Sequence, residues 1–173
     1  MDTSELVELL HHSAVEHLRA QKISSEFGIV TTDFEALYAY KCGEYQRCLQ
    51  LSIQNVRTLI DFDVDSCVLV SPEIIQLMDD DIVSLLVDPE YRSVLRIDAS
   101  LRTVVHQLPL SLYLMTQCQM KLHHPVTSLA PTLDCLDVTR RSPYIYSHVY
   151  TLDPLLIKLI EGKILLRISG EST

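Results

Sequence analysis

The sequence predicts an all-α fold built from antiparallel helical hairpins. Three observations lead there. Leucine supplies 28 of 173 residues and 47% of the chain is apolar, enough to build a core. Only 4 glycines, 6% aromatics and no tryptophan leave too little turn and packing chemistry for a strand-rich sandwich or barrel. Apolar residues recur at three- and four-residue steps along most of the chain, which is the helical period. The length suits a single helical domain over residues 1–173.

The first helix is expected from Leu6, Leu9, Leu10, Ala14, His17 and Leu18, with Asp2 or Thr3 as its cap and Gly28 as its stop. Thr32 followed three residues later by Glu35 reads as a capping box that opens the next helix. That helix breaks at Gly43. Another runs through Tyr45, Cys48, Leu49, Leu51, Ile53, Val56 and Leu59. A glycine between two helical patterns, with no room for a long loop, makes a tight helical hairpin over residues 31–60.

Acid alternates with apolar residues at Asp61, Asp63 and Asp65, which reads as a loop, and Cys67 to Val70 as a short extended piece. Ser71-Pro72-Glu73 opens a helix whose buried face is Ile74, Ile75, Met78, Ile82, Leu85 and Leu86, ended by Asp88-Pro89. The stretch 90–101 fits a loop or a short helix. Pro109 then starts a helix through Leu110, Tyr113, Cys118 and Leu122, closed by His123-His124-Pro125. Val126, Leu129, Ala130, Leu133 and Leu136 give its partner, with Pro131 in the first turns, so residues 108–139 form a possible second hairpin. Shifted by 82 residues, it overlays the first, with Pro125 on Gly43 and Cys118 on Ala36. The last helix begins at Asp153-Pro154 and carries Leu155, Leu156, Leu159 and Ile160. Gly162 ends it, or Lys163 to Ile168 continues it as helix or as a short strand.

The run Tyr40-Lys41-Cys42-Gly43-Glu44-Tyr45-Gln46-Arg47-Cys48-Leu49 resembles the turn of a tetratricopeptide repeat. Ala36 and Cys48 fall on that family's small positions, where two helices approach closely. Glu35, Ala39, Asn55 and Ile60 depart from its pattern, Asn55 standing where the family carries alanine. The resemblance implies a TPR-like irregular helical array that takes a peptide or partner domain in a groove, with Tyr38, Lys41, Tyr45 and Arg47 as groove residues. Residues 31–51 and 110–136 also resemble accessory helical segments of invertebrate proteins. This second resemblance implies an accessory part of an innate-immune nucleotidyltransferase-type protein, and the chain lacks the Gly-Ser and paired-acid pattern of such a catalytic domain.

Charge and motifs narrow the chemistry. A net charge of −9 repels phosphate backbones and anionic lipid, so neither nucleic acid nor membrane is expected as partner. The glycines 28, 43, 162 and 170 are too far apart for a phosphate-binding loop. The acidic N-terminus is unlike a signal peptide, and five widely spaced cysteines without a C-x-x-C suit free, buried thiols in the cytoplasm. The Asp61, Asp63, Asp65 triplet opens like a calcium loop, but Ser66 and Pro72 stand where glycine and glutamate are needed. Asp79, Asp80 and Asp81 splay around a helix, and His12 and His17 miss the i, i+4 spacing of a zinc helix. No nucleophile elbow is present. A cluster of Tyr144, Tyr146 and Tyr150 precedes the last helix, where exposed rings suit peptide anchoring. The expectation is a non-enzymatic scaffold or adaptor module without cofactor, metal or catalytic residues, binding a protein or peptide. Its rival is a metal-binding helical bundle with catalytic use of His and Asp.

Overall fold

The structure is a computed structural model that describes residues 26–61, 67–69, 77–78, 80–87, 104–141 and 152–171. Helices α1 (Glu26–Lys41) and α2 (Tyr45–Asp61) form the first hairpin. A three-residue strand β1 (Cys67–Leu69) follows, then α3 (Asp80–Val87) and strand β2 (Val104–His106). Helix α4 (Gln107–Lys121), a 3-10 turn (Val126–Leu129) and α5 (Ala130–Arg141) form the second hairpin, and α6 (Asp153–Glu171) is last among the described residues. The class is all-α. The one extended feature described is the antiparallel pairing of β1 with β2, Val68 opposite Val105.

Helix α4 is the axis. It touches α1, α2, α5 and α6. From Gln107 to Met120 it carries no charged residue, so no face of it prefers water. A helix that is apolar or neutral all round belongs inside, and every residue from Pro109 to Gln119 is buried. Around it pack Phe34, Leu37, Leu49, Val56, Leu129, Leu136, Leu156 and Ile160. Several of its buried polar groups find partners close by. Thr116 Oγ1 donates to the Leu112 carbonyl at 2.9 Å, Gln117 Nε2 to the Tyr113 hydroxyl at 2.7 Å, and Gln119 Nε2 to the Ser128 carbonyl at 3.2 Å. Gln117 and Gln119 are accommodated in the core in this way, whereas the side-chain amide of Gln107 is buried with no hydrogen-bond partner.

Several sequence expectations are corrected. α1 begins at Glu26, so Thr32 and Glu35 lie inside the helix and form no capping box, and Gly28 is helical where a stop was expected. Thr32 is followed directly by the buried Asp33 and Phe34, so this stretch is set by helix packing and not by the local capping signal. The helix expected from Ser71 through Leu86 is interrupted by a bend at Met78, and α3 starts at Asp80 with two acids in its first turn, where the helix dipole favours them. Met78 and Ile82 are buried, as their spacing predicts. α6 continues through Gly162 to Glu171, so Lys163 to Ile168 are helix, not strand. Cys42 is exposed, so the thiols are not all buried. The first helix with His11, His12 and His17, the positions of Asp63 and Asp65, the Ser71-Pro72-Glu73 start, the stretch 90–101 and the Tyr144–Tyr150 cluster lie outside the described residues.

The overlay of the two hairpins also changes register. α1 ends with Gly43 N–H bonded to the Tyr40 carbonyl and Glu44 N–H to the Ala39 carbonyl, around Gly43 at φ +79°. α4 ends with His123 N–H on the Met120 carbonyl and His124 N–H on the Gln119 carbonyl, around His123 at φ 56°. These are the same left-handed helix stop. Gly43 therefore corresponds to His123, a shift of 80 and not 82 residues, and Cys118 does not fall on Ala36.

Candidate functional site

The groove residues implied by the repeat resemblance gather around the α1–α2 turn. Gly43 supplies the positive φ, and its missing Cβ points into open space, so backbone conformation alone selects glycine there. Tyr40 and Tyr45 flank the turn and meet edge to face, ring centroids 5.6 Å apart at 61°. Arg47 Nη1 donates to Glu44 Oε2 at 3.1 Å, an exposed i, i+3 pair of small energetic weight. Lys41 and Arg47 are exposed and Tyr45 is half-buried. Tyr38 is half-buried as well, and both tyrosines pack against the core. The turn thus exposes Lys41 and Arg47, with Tyr38 and Tyr45 half-buried.

Beneath the turn lie two features that the motif reading passed over. Asp33 on α1 is 1% exposed. Asn55 Nδ2 on α2 donates to its Oδ1 at 2.5 Å, and Ser111 Oγ on α4 donates to the same oxygen at 3.0 Å. Its Oδ2 has no hydrogen-bond partner. Burial pushes the Asp33 carboxyl up to about 8, against the two donors, which pull it down. Both donors converge on Oδ1, and the burial that raises the carboxyl favours its neutral form. Three helices are pinned to one carboxyl group.

The second feature is a pair of thiols. Cys48 on α2 and Cys118 on α4 are both fully buried, and each acts on the ionisation of the other. Ser52 Oγ lies 3.9 Å from Cys48 Sγ. The neighbouring Cys118, and after it the Ser52 hydroxyl, hold the Cys48 thiol below its ordinary range against its burial. The neighbouring Cys48 and burial push the Cys118 thiol up. Elsewhere, Asp153 at the start of α6 accepts the His106 backbone N–H at 2.9 Å on Oδ1, while its Oδ2 meets His106 Nδ1. This carboxylate ties the β2–α4 junction to α6, and Arg140 joins α5 to α6 through Glu161.

Asp33 and Asn55 had one visible sign in the sequence: Asn55 breaks the repeat pattern at a small position. The Cys48–Cys118 contact had none, because it depends on how α2 lies against α4. Among the described residues no group of three or more His, Cys, Asp or Glu is placed to hold a metal ion. His123 and His124 belong to the helix stop. No described helix is long and apolar enough to cross a membrane. No family model, curated protein or solved structure matches the chain.

Proposed function

We propose that this protein is a helical interaction module, a scaffold or adaptor that binds a peptide or partner domain and has no catalytic role of its own. The observation that carries the reading is the surface of α6. Its inner face is anchored by Leu155, Leu156, Ile160 and Ile164, all buried. Its C-terminal half turns Leu165 and Leu166 outward, 63% and 75% exposed, with Ile168 beside them. Apolar side chains grouped on one outward helix surface favour a protein partner over water. The α1–α2 turn adds a second region, with Lys41 and Arg47 exposed beside the half-buried Tyr45, suited to an acidic or aromatic peptide. A cytoplasmic setting accords with the free thiols of Cys42, Cys48, Cys118 and Cys135.

Affinity capture from lysate with the full chain, run beside Leu165→Glu/Leu166→Glu and Lys41→Glu/Arg47→Glu variants, tests this reading. Expected is a partner retained by the parent and lost by one of the variants while thermal melting stays unchanged. The same captured proteins on all three baits would overturn it.

A further inference from the structure

We propose that the α1–α2 turn and the end of α4 form one cationic surface that docks an acidic peptide, with Lys41, Arg47 and Lys121 as its charges. This deepens the interaction-module reading and rests on it. Two observations bring these elements to one end of the bundle. Strand β1 begins six residues after α2 ends, and it pairs with β2, which runs directly into α4. The end of α2 therefore lies on the side where α4 starts, and the two helices run antiparallel. Asn55 of α2 and Ser111 of α4 both donate to Asp33 Oδ1, which sets their register. Tyr45 precedes Asn55 by ten residues and Lys121 follows Ser111 by ten. Both steps cover about 15 Å toward the same end. Tyr45, the first residue of α2, thus comes level with Lys121, the last of α4.

Charge at this end is one-sided. No Asp or Glu occurs from Tyr45 to Ile60, or from Gln107 to Leu133. Glu44 in the α1–α2 turn is held by Arg47 at 3.1 Å. Lys41, Arg47 and Lys121 are exposed, and neither lysine pairs with an acid among the described residues. His123, exposed, and His124, half-buried, follow Lys121 in the second helix stop. The whole chain carries −9, so this end has the opposite sign from the rest. Positive charge gathered at one end of an acidic protein selects a negative partner and steers it there. Lys41 and Lys121 stand in the last turns of their helices, where a cation also offsets the helix dipole. An ammonium group has three donors, so that local role leaves capacity for a ligand. The three cations sit on three elements, and packed helix axes stand about 8–10 Å apart. An extended peptide places alternate side chains about 7 Å apart on one face, so its carboxylates can meet such spread charges. The half-buried rings of Tyr40 and Tyr45 add an apolar edge beside them.

Fluorescence anisotropy of a labelled deca-glutamate peptide, titrated with the full chain, tests the assignment. Expected is saturable binding that weakens as salt rises. Lys41→Glu/Lys121→Glu is expected to weaken it about tenfold or more. Arg57→Glu/Lys158→Glu makes the same change in net charge toward the opposite end of the bundle, where Asp153 at the start of α6 binds His106. It is expected to keep affinity within about twofold of the parent. Absence of peptide binding overturns the proposal, as does an equal loss in both double variants. Tighter binding of a labelled oligothymidylate, lost in Lys41→Glu/Lys121→Glu, also overturns it, since the surface then serves nucleic acid. Lys41→Gln/Lys121→Gln gives the same comparison if circular dichroism shows that charge reversal impairs folding. A partner captured from lysate through the α6 leucines while deca-glutamate fails to bind overturns this assignment alone and leaves the module reading in place.

Discussion

Asn55 donates its side-chain amide to the Asp33 carboxyl across the α1–α2 seam, 2.5 Å away and 22 residues distant in the chain. In the tetratricopeptide pattern, position 55 is a small residue whose only task is to let helices approach. Here it also satisfies a buried carboxyl group. Replacing it by alanine therefore separates two views of this hairpin. On the pattern alone, Asn55→Ala improves the fit. On the structure, it strips one of two donors from a buried acid and costs about 1–3 kcal/mol. Urea unfolding of the variant, with the parent as reference, measures the difference; equal midpoints would show that the Asp33 cluster contributes nothing.

The same carboxyl group gives the fold a pH dependence of definite sign. Asp33 in the unfolded chain titrates at the ordinary carboxylate value of 3.8, and in the folded protein at about 8. Between those values the folded state holds a proton that the unfolded state has released. Its contribution to stability is thus complete below pH 3.8 and is lost as pH rises toward about 8. The limiting slope is about 1.4 kcal/mol per pH unit for one proton. Asp33→Asn keeps an oxygen for Ser111 and Asn55 but cannot ionise. The difference between parent and variant stabilities, measured from mildly acid to mildly alkaline pH, is expected to shift steadily in favour of asparagine. A difference that stays flat would place Asp33 ionised in the fold at neutral pH.

Two helix stops with the same hydrogen bonds carry different residues. Gly43 takes φ +79° without strain, whereas His123 takes φ 56° with a side chain attached. Gly43→Ala is expected to cost about 1 kcal/mol and Gly43→Val more, through backbone strain alone, since no neighbour lies near the new Cβ. His123→Gly is expected to gain up to about 1 kcal/mol, reduced by the greater freedom of glycine in the unfolded chain. Thermal melting of both series checks the pair; opposite signs at the two stops are the outcome to look for.

The limits of sequence reading are visible in these same residues. The all-α class was legible because leucine periodicity and scarce glycine act over the whole chain. The two hairpin turns were legible because glycine at 43 and His-His-Pro at 123–125 are local signals. The start of α1 was not, since Thr32 and Glu35 spell a local cap in a stretch whose Asp33, Phe34, Ala36 and Leu37 are buried in helix packing. The Asp33–Asn55–Ser111 cluster joins residues 22 and 78 positions apart, and no periodicity brings those together. Of the four residues that the resemblance implied, Lys41 and Arg47 are exposed at the turn. Tyr38 and Tyr45 are half-buried, because each packs against the core.

The last expectation concerns α6, which packs one face and presents the other. Ile160 is fully buried against the core, so Ile160→Ala removes packed atoms and is expected to cost about 2–5 kcal/mol. Leu165 and Leu166, two of the largest exposed apolar side chains described, give up little packing when replaced. Leu165→Glu/Leu166→Glu is expected to leave stability within about 0.5 kcal/mol of the parent. Lys163 on the same helix reaches Asp81 of α3 at 2.5 Å and holds that half of α6 in place without the two leucines. Chemical unfolding of both variants gives the comparison. If the double glutamate variant unfolds as readily as Ile160→Ala, the two leucines support the fold and are not a free surface. If it unfolds like the parent, their outward placement serves something other than stability.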